Sequence, residues 1–147
     1  LKQRILMSAC LAGLQTRYDG SSDLFPGLTD LSKQNLIIPV CPEILGGLGI
    51  PRSPCRFSGG DGKKVLEGRA RVIDRDGIDR TSAFVKGAKE TLRVVEMVSP
   101  QIIYFREGSP SCGLHRVDMD GERQQGCGVT AAVLERTGIP IVSVETT

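Results

Sequence analysis

TSAFVKGAKETLRVVEMVSPQIIYF, residues 81–105, is the stretch on which the reading of the fold turns. Phe84, Ala88, Leu92 and Val95 recur about one turn apart, which predicts an amphipathic helix with one buried face. Thr81 is placed to cap it, and Pro100 stops it near Val98. Gln101-Ile102-Ile103-Tyr104-Phe105 then reads as a buried strand by its β-branched and aromatic content. Working outward, residues 5–8, 36–40 (LIIPV) and 140–144 are further short apolar runs, and residues 69–74 alternate up to a turn at Asp76-Gly77. Helices are expected over residues 28–34 and 128–137, the latter with Gly138 at its C-terminal cap. Strand, helix, strand in this rhythm predicts an α/β fold: one domain over residues 1–147, with a mostly parallel, Rossmann-like sheet and helices on both faces. Two Gly-, Pro- and Ser-rich stretches, residues 41–62 and 108–128, read as long ordered loops, which in compact domains usually carry function.

Composition narrows the function by exclusion. The 147 residues carry a formal charge of +2, too little field to hold intact nucleic acid or an anionic membrane surface. With no Trp, two Tyr and four Phe, the chain also lacks stacking platforms for single strands. No run approaches the ~18 apolar residues of a membrane span. Lys2 and Arg4 before Met7-Ser8-Ala9-Cys10 imitate a lipoprotein cleavage site, but only Ile5 to Met7 stand between the charges and the small residues. A buried first strand in a cytoplasmic protein is the expectation.

Five cysteines make an odd number in a chain too long to need disulfide staples, so reduced thiols serving a metal or catalysis are expected. Cys10 follows the first strand, Cys41 follows residues 36–40, and Cys112 lies in the loop after residues 101–105. In parallel α/β sheets, ligands bind at the carboxyl ends of the strands, so these three thiols are placed to meet there. Their spacing alone leaves open three small buried hydrophobes as the other reading. Zinc would favour C-x-x-C pairs, and none exists here; His115, the lone His, reads as an ordinary surface or core residue. An iron–sulfur cubane with three thiolates would leave one iron free for substrate, as catalytic metal sites do.

Six motifs appear in order: Ser8-Ala9-Cys10-Leu11, Arg17-Tyr18-Asp19-Gly20, Cys41-Pro42-Glu43 with Gly46-Gly47-Leu48, Pro51-Arg52-Ser53-Pro54, Ser109-Pro110-Ser111-Cys112-Gly113 and Gly128-Val129-Thr130-Ala131-Ala132. Together they resemble the bacterial thiouracil desulfidase family over nearly the whole chain. The resemblance implies a [4Fe-4S] cluster held by Cys10, Cys41 and Cys112, with one iron not bound by protein, and Glu43 and Ser109 as catalytic residues. It implies non-redox removal of sulfur from a thiocarbonyl compound such as thiouracil, a small thiolated nucleobase, with Glu43 as general base and Ser109 as hydrogen-bond partner or proton relay. Two departures from the family stand out: Cys127 stands where an acidic residue or similar is usual, and Cys55-Arg56 follows Pro51-Arg52-Ser53-Pro54 where an acidic residue usually lies close by. Either one, as a fourth ligand, would make this a non-catalytic iron–sulfur protein for sensing or electron transfer. Cys55 is expected on the rim of the cavity or beyond it, since Pro51 and Pro54 commit its loop; the position of Cys127 is left open. Gly126-Cys127-Gly128-Val129-Thr130-Ala131 fits G-x-G-x-x-A but is read as following a polar loop, which argues against a dinucleotide site.

Overall fold

The first apolar run is a central strand. β1 (Arg4–Ser8) pairs parallel with β2 (Leu36–Val40), from Arg4 opposite Leu36 to Ser8 opposite Val40. On its other side β1 pairs parallel with β5 (Ile102–Arg106), which pairs parallel with β8 (Ile141–Val144). The computed structural model describes residues 2–146. In the order β2-β1-β5-β8, the chain leaves β1 in one direction through α1 (Leu28–Gln34) and leaves β5 in the other through α5 (Val129–Glu135). The gap between the carboxyl ends of β1 and β5 is therefore a topological switch point, where α/β folds place ligands.

Strand alternation decides which helix covers which face. Leu6, Ile103 and Phe105 face the larger core with Phe84, Ala88 and Val95 of α4 (Thr81–Val98) and Ala131 and Leu134 of α5. Met7 and Val144 face the opposite side, packed with Leu28 and Leu31 of α1 and with Phe25 and Tyr104. Phe57, Phe84 and Phe105 are almost completely buried, each contributing about 1.5–3 kcal/mol. Helices thus cover both faces of an all-parallel sheet.

The structure departs from the sequence reading in the two stretches expected to be loops. Residues 41–62 contain α2 (Pro42–Leu45) and β3 (Cys55–Ser58), and residues 108–128 contain the hairpin of β6 (Arg116–Met119) and β7 (Glu122–Gln125). With β4 (Arg71–Asp74) these strands form a second, mixed sheet, β4-β3-β6-β7. β4 therefore lies antiparallel to β3 instead of joining the parallel sheet. α2, β3, β6 and β7 have four residues each and no clear apolar period, and β7 is exposed throughout. The G-x-G-x-x-A run consequently follows a strand, but an exposed antiparallel edge strand and not the parallel strand a dinucleotide site requires. Thr81 does not cap α4: Arg80 holds that position, and the Thr81 hydroxyl accepts from the Val72 N–H at 2.9 Å, tying the helix to β4. α5 ends at Glu135 with Arg136 as its cap, and Gly138, at φ 75°, turns the chain toward β8.

Gly87 sits inside α4, where Ala would ordinarily be favoured by about 1 kcal/mol. A Cβ there would stand 2.0 Å from the Pro42 carbonyl oxygen, and one on Gly46 would stand 2.1 Å from that of Ala83. The two glycines let α2 lie directly on α4, and α2 carries Glu43. Gly87→Ala should therefore destabilise by about 1–3 kcal/mol in urea unfolding, opposite in sign to the propensity effect.

Candidate active site

One cavity of about 210 Å³ opens at the switch point, between the segments that follow β1, β2 and β5. Cys10, Cys41 and Cys112 line it, one from each segment, and so do Glu43 and Ser109. Cys10 lies in the turn after β1, where the Leu11 N–H donates to Ser8 O at 2.9 Å. Cys41 follows β2 directly and sits at the N-cap of α2, where Pro42 takes the first helical position without losing a hydrogen bond. Cys112 is held by the loop after β5, and its own N–H donates to Ser109 Oγ at 3.1 Å.

Burial pushes the Cys10 thiol up to about 11, raises that of Cys41, and holds Cys112 well above the usual thiol range. Cys41 further raises Cys10, and both act on Cys112, so the three sit within electrostatic reach of one another. Such thiols are protonated at neutral pH, and ligation would displace three protons. Among the described residues no three His, Cys, Asp or Glu side chains gather tightly enough to hold a single metal ion. Three thiols around one cavity instead suit a multi-atom group, and three arginines (Arg17, Arg52, Arg106) line the same space against the charge that three thiolates would bring.

Glu43 is held at both oxygens. Arg52 Nε donates to Oε1 at 2.9 Å and the Ser111 hydroxyl donates to Oε2 at 3.3 Å. The two side chains of the ion pair are 9% and 15% exposed, so solvent screens it little. Ser109 Oγ accepts from the N–H groups of Ser111 and Cys112, both at 3.1 Å, leaving its own proton to give. Arg106 pairs with Asp23, and its N–H donates to Ser8 Oγ at 3.0 Å.

The two additional cysteines part company. Cys127 is buried away from the cavity: its N–H donates to Asp61 Oδ2 at 3.1 Å and its thiol faces the same oxygen at 3.7 Å. Cys55 is half-buried and lines the cavity, so it does not lie beyond the rim. The reason is strand alternation: Arg56 and Ser58 of β3 are exposed, so Cys55 and Phe57 turn inward. Burial, with Glu43 next in effect, pushes the Cys55 thiol up to about 12, and it donates to Ser53 O at 3.6 Å. His115 is exposed and takes no part.

Sequence reasoning passed over Glu107, which stands just beyond β5 and is 6% exposed. Its Oε1 accepts from the N–H groups of Gly108, Leu114, His115 and Arg116 at 3.0–3.1 Å, and Oε2 accepts from the Ser143 hydroxyl. This carboxylate gathers the loop that presents Ser109 and Cys112. The available signal was a lone acid between a buried strand and the Ser-Pro-Ser-Cys loop. Burial alone would raise its pKa, but the Ser143 hydroxyl and the backbone amides overcome that and bring it from 4.5 to about 2. The folded value lies below the unfolded one, so the stabilisation is complete above about pH 4.5 and drains away as pH falls toward 2. Glu107→Gln should cost about 2–4 kcal/mol at pH 7 and flatten the acid limb of stability over that window, as read by urea unfolding of the reduced protein at a series of pH values.

Fold and site together define an α/β protein whose three-cysteine cavity lies at the switch point of a parallel sheet, beside a carboxylate held at both oxygens. The chain belongs to the 2-thiouracil desulfurase family, whose model matches residues 5–146, and it is a thiouracil desulfidase-like enzyme. It is 35% identical over 142 residues to "Uncharacterized protein YbbK" of Bacillus subtilis (strain 168), covering 95% of this chain and 94% of that one. Among solved structures it is similar to the [4Fe-4S]-dependent thiouracil desulfidase TudS, with 34% identity and a TM-score of 0.81, covering 97% of this chain and 91% of that one.

Proposed function

We propose that this protein removes sulfur from a small thiolated nucleobase such as 2-thiouracil, converting C=S and water to C=O and hydrogen sulfide without net electron transfer. The observation that carries the reading is the meeting of Cys10, Cys41 and Cys112 with Glu43 and Ser109 in one cavity. Membership of the 2-thiouracil desulfurase family and likeness to a [4Fe-4S]-dependent desulfidase support it. In this reading the three thiolates hold a [4Fe-4S] cluster with one iron free of protein ligands. When bound, such a cluster supplies a thiophilic Lewis acid for the sulfur of the C=S group.

The chain's own groups do the rest. Glu43, anchored by Arg52 and Ser111, takes a proton from the water that adds to the thiocarbonyl carbon. The Ser109 hydroxyl, its oxygen already accepting two backbone N–H groups, gives a hydrogen bond to the ring or passes on a proton. The C–S bond breaks, the water oxygen stays on carbon, and both protons leave with sulfur. A cavity of about 210 Å³, below the ~300–1,000 Å³ of ordinary ligand pockets, supports a compact molecule as the occupant. Among the described residues no helix is long and apolar enough to cross a membrane. A reducing compartment such as the cytoplasm, where thiols remain free, completes the proposal.

The test is anaerobic reconstitution with iron and sulfide, followed by 2-thiouracil and quantification of uracil and sulfide in equal amounts. A fully loaded protein that turns over no thiolated base would overturn the reading.

A further inference from the structure

Resting on that functional reading, we propose that Arg52 is the positioning residue of this site: one guanidinium aims the Glu43 carboxylate, braces the cavity wall and gives an N–H to the Cys41 sulfur. Three arginines line the cavity, and they are differently engaged. Arg106 is taken up by Asp23, and Arg17 lies over the Tyr18 ring, 5.6 Å from its centroid. Arg52 is the one of the three bonded to Glu43.

All three guanidinium nitrogens of Arg52 are used. Nε donates to Glu43 Oε1 at 2.9 Å, Nη1 to Gly49 O at 3.2 Å, and Nη2 to Thr16 O at 2.9 Å. Nη2 also lies 4.0 Å from Cys41 Sγ, and the Arg52 backbone N–H donates to Tyr18 O at 2.8 Å. One residue therefore joins the 16–18 loop to α2, and to both the carboxylate and a ligand sulfur at once. A planar fork of donors meets these acceptors together, whereas a lysine ammonium on a flexible stem meets one or two. The pair is nearly buried, so the geometry is held and not averaged by solvent.

Two consequences follow. Without Arg52, Glu43 keeps only its bond from Ser111 and loses its aim, and a misplacement of about 1 Å costs on the order of 100-fold in rate. An N–H donated to a cluster sulfur also raises the reduction potential, so its loss shifts the potential down. An arginine serving stability alone would move neither quantity in protein that has folded and loaded its cluster.

The experiment compares wild type, Arg52→Gln, Arg52→Lys and both substitutions in a Glu43→Gln background, all reconstituted anaerobically and normalised to bound iron. Arg52→Gln is expected to lower kcat about 100-fold with KM changing far less, and to make the cluster's midpoint potential more negative. Arg52→Lys should recover part of kcat, and free methylguanidinium should restore activity to Arg52→Gln. In the Glu43→Gln background, Arg52→Gln should cost less than about threefold, because the group it aims is already gone. Wild-type kcat per iron in Arg52→Gln, or an equal loss in both backgrounds at unchanged potential, would overturn the proposal. Should Arg52→Gln not load its cluster, Arg52→Lys decides by the same two readings. Should wild type load and show no turnover, the functional reading fails, while an unchanged potential in Arg52→Gln would still refute the contact with Cys41.

Discussion

Replacing Cys10, Cys41 or Cys112 singly with Ser is expected to cut iron bound per chain after anaerobic reconstitution by at least about tenfold, whereas Cys55→Ser and Cys127→Ser leave it at the wild-type level. The three come from segments that end on one cavity and act electrostatically on one another. A serine hydroxyl is a harder donor than a thiol and far less acidic, so it ligates iron much more weakly, and the cubane is left with two thiolates. Cys127 faces Asp61 in a separate buried spot, so its removal touches nothing at the cavity. Cys55 is the stringent control, because it does line the cavity. Its thiol is donated to the Ser53 carbonyl at 3.6 Å, a partner on its own loop. Iron content is measured together with acid-labile sulfide and the visible spectrum. A sharp fall on Cys55→Ser would make four ligands, close the free iron, and turn the protein into a carrier or sensor of electrons.

Glu43→Gln is expected to lower kcat for 2-thiouracil by about 10²–10⁴-fold at unchanged iron content, with KM little altered. Gln keeps the shape and one acceptor oxygen for Arg52 Nε, but it takes no proton from water. The loss therefore falls on the chemical step and not on binding. Steady-state rates of uracil release, normalised to bound iron, check this. A variant that retains more than about a tenth of wild-type kcat would remove Glu43 as the base and leave Ser109 or a solvent base in its place.

Much of the framework was legible in the chain. Helix α1 and strand β2 lie where their patterns put them, and α4 runs from Thr81 to Val98 as its apolar spacing indicates. β1, β5, α5 and β8 differ from expectation by one or two residues at their ends. Long periodic segments declare themselves because burial of one face imposes a repeat on the residues. Of the second sheet only β4 did, through the alternation of residues 69–74; β3, β6 and β7 are short, lie in the Gly-, Pro- and polar-rich stretches, and take their pairing from partners distant in sequence. Phe57, buried in β3 and paired with Met119 in β6, gains its environment across some sixty intervening residues.

The site divides along the same line. By itself the sequence singled out the candidate residues, because thiols, a carboxylate and hydroxyls in ordered motifs after buried strands are local facts of the chain. It also determined that Cys10, Cys41 and Cys112 would emerge at one edge, since parallel strands release their loops on the same side. Only the tertiary structure decided that Cys55 turns into the cavity while Cys127 does not, as the register of β3 and the Asp61 cap on α3 (Gly62–Leu66) settle those directions. The fold alone brought Arg52 to Glu43 and Glu107 to the amides of four other residues. Such partners are chosen by desolvation: a charge carried inward must find its hydrogen bonds among whatever the packing places beside it, and no spacing along the chain records that neighbourhood.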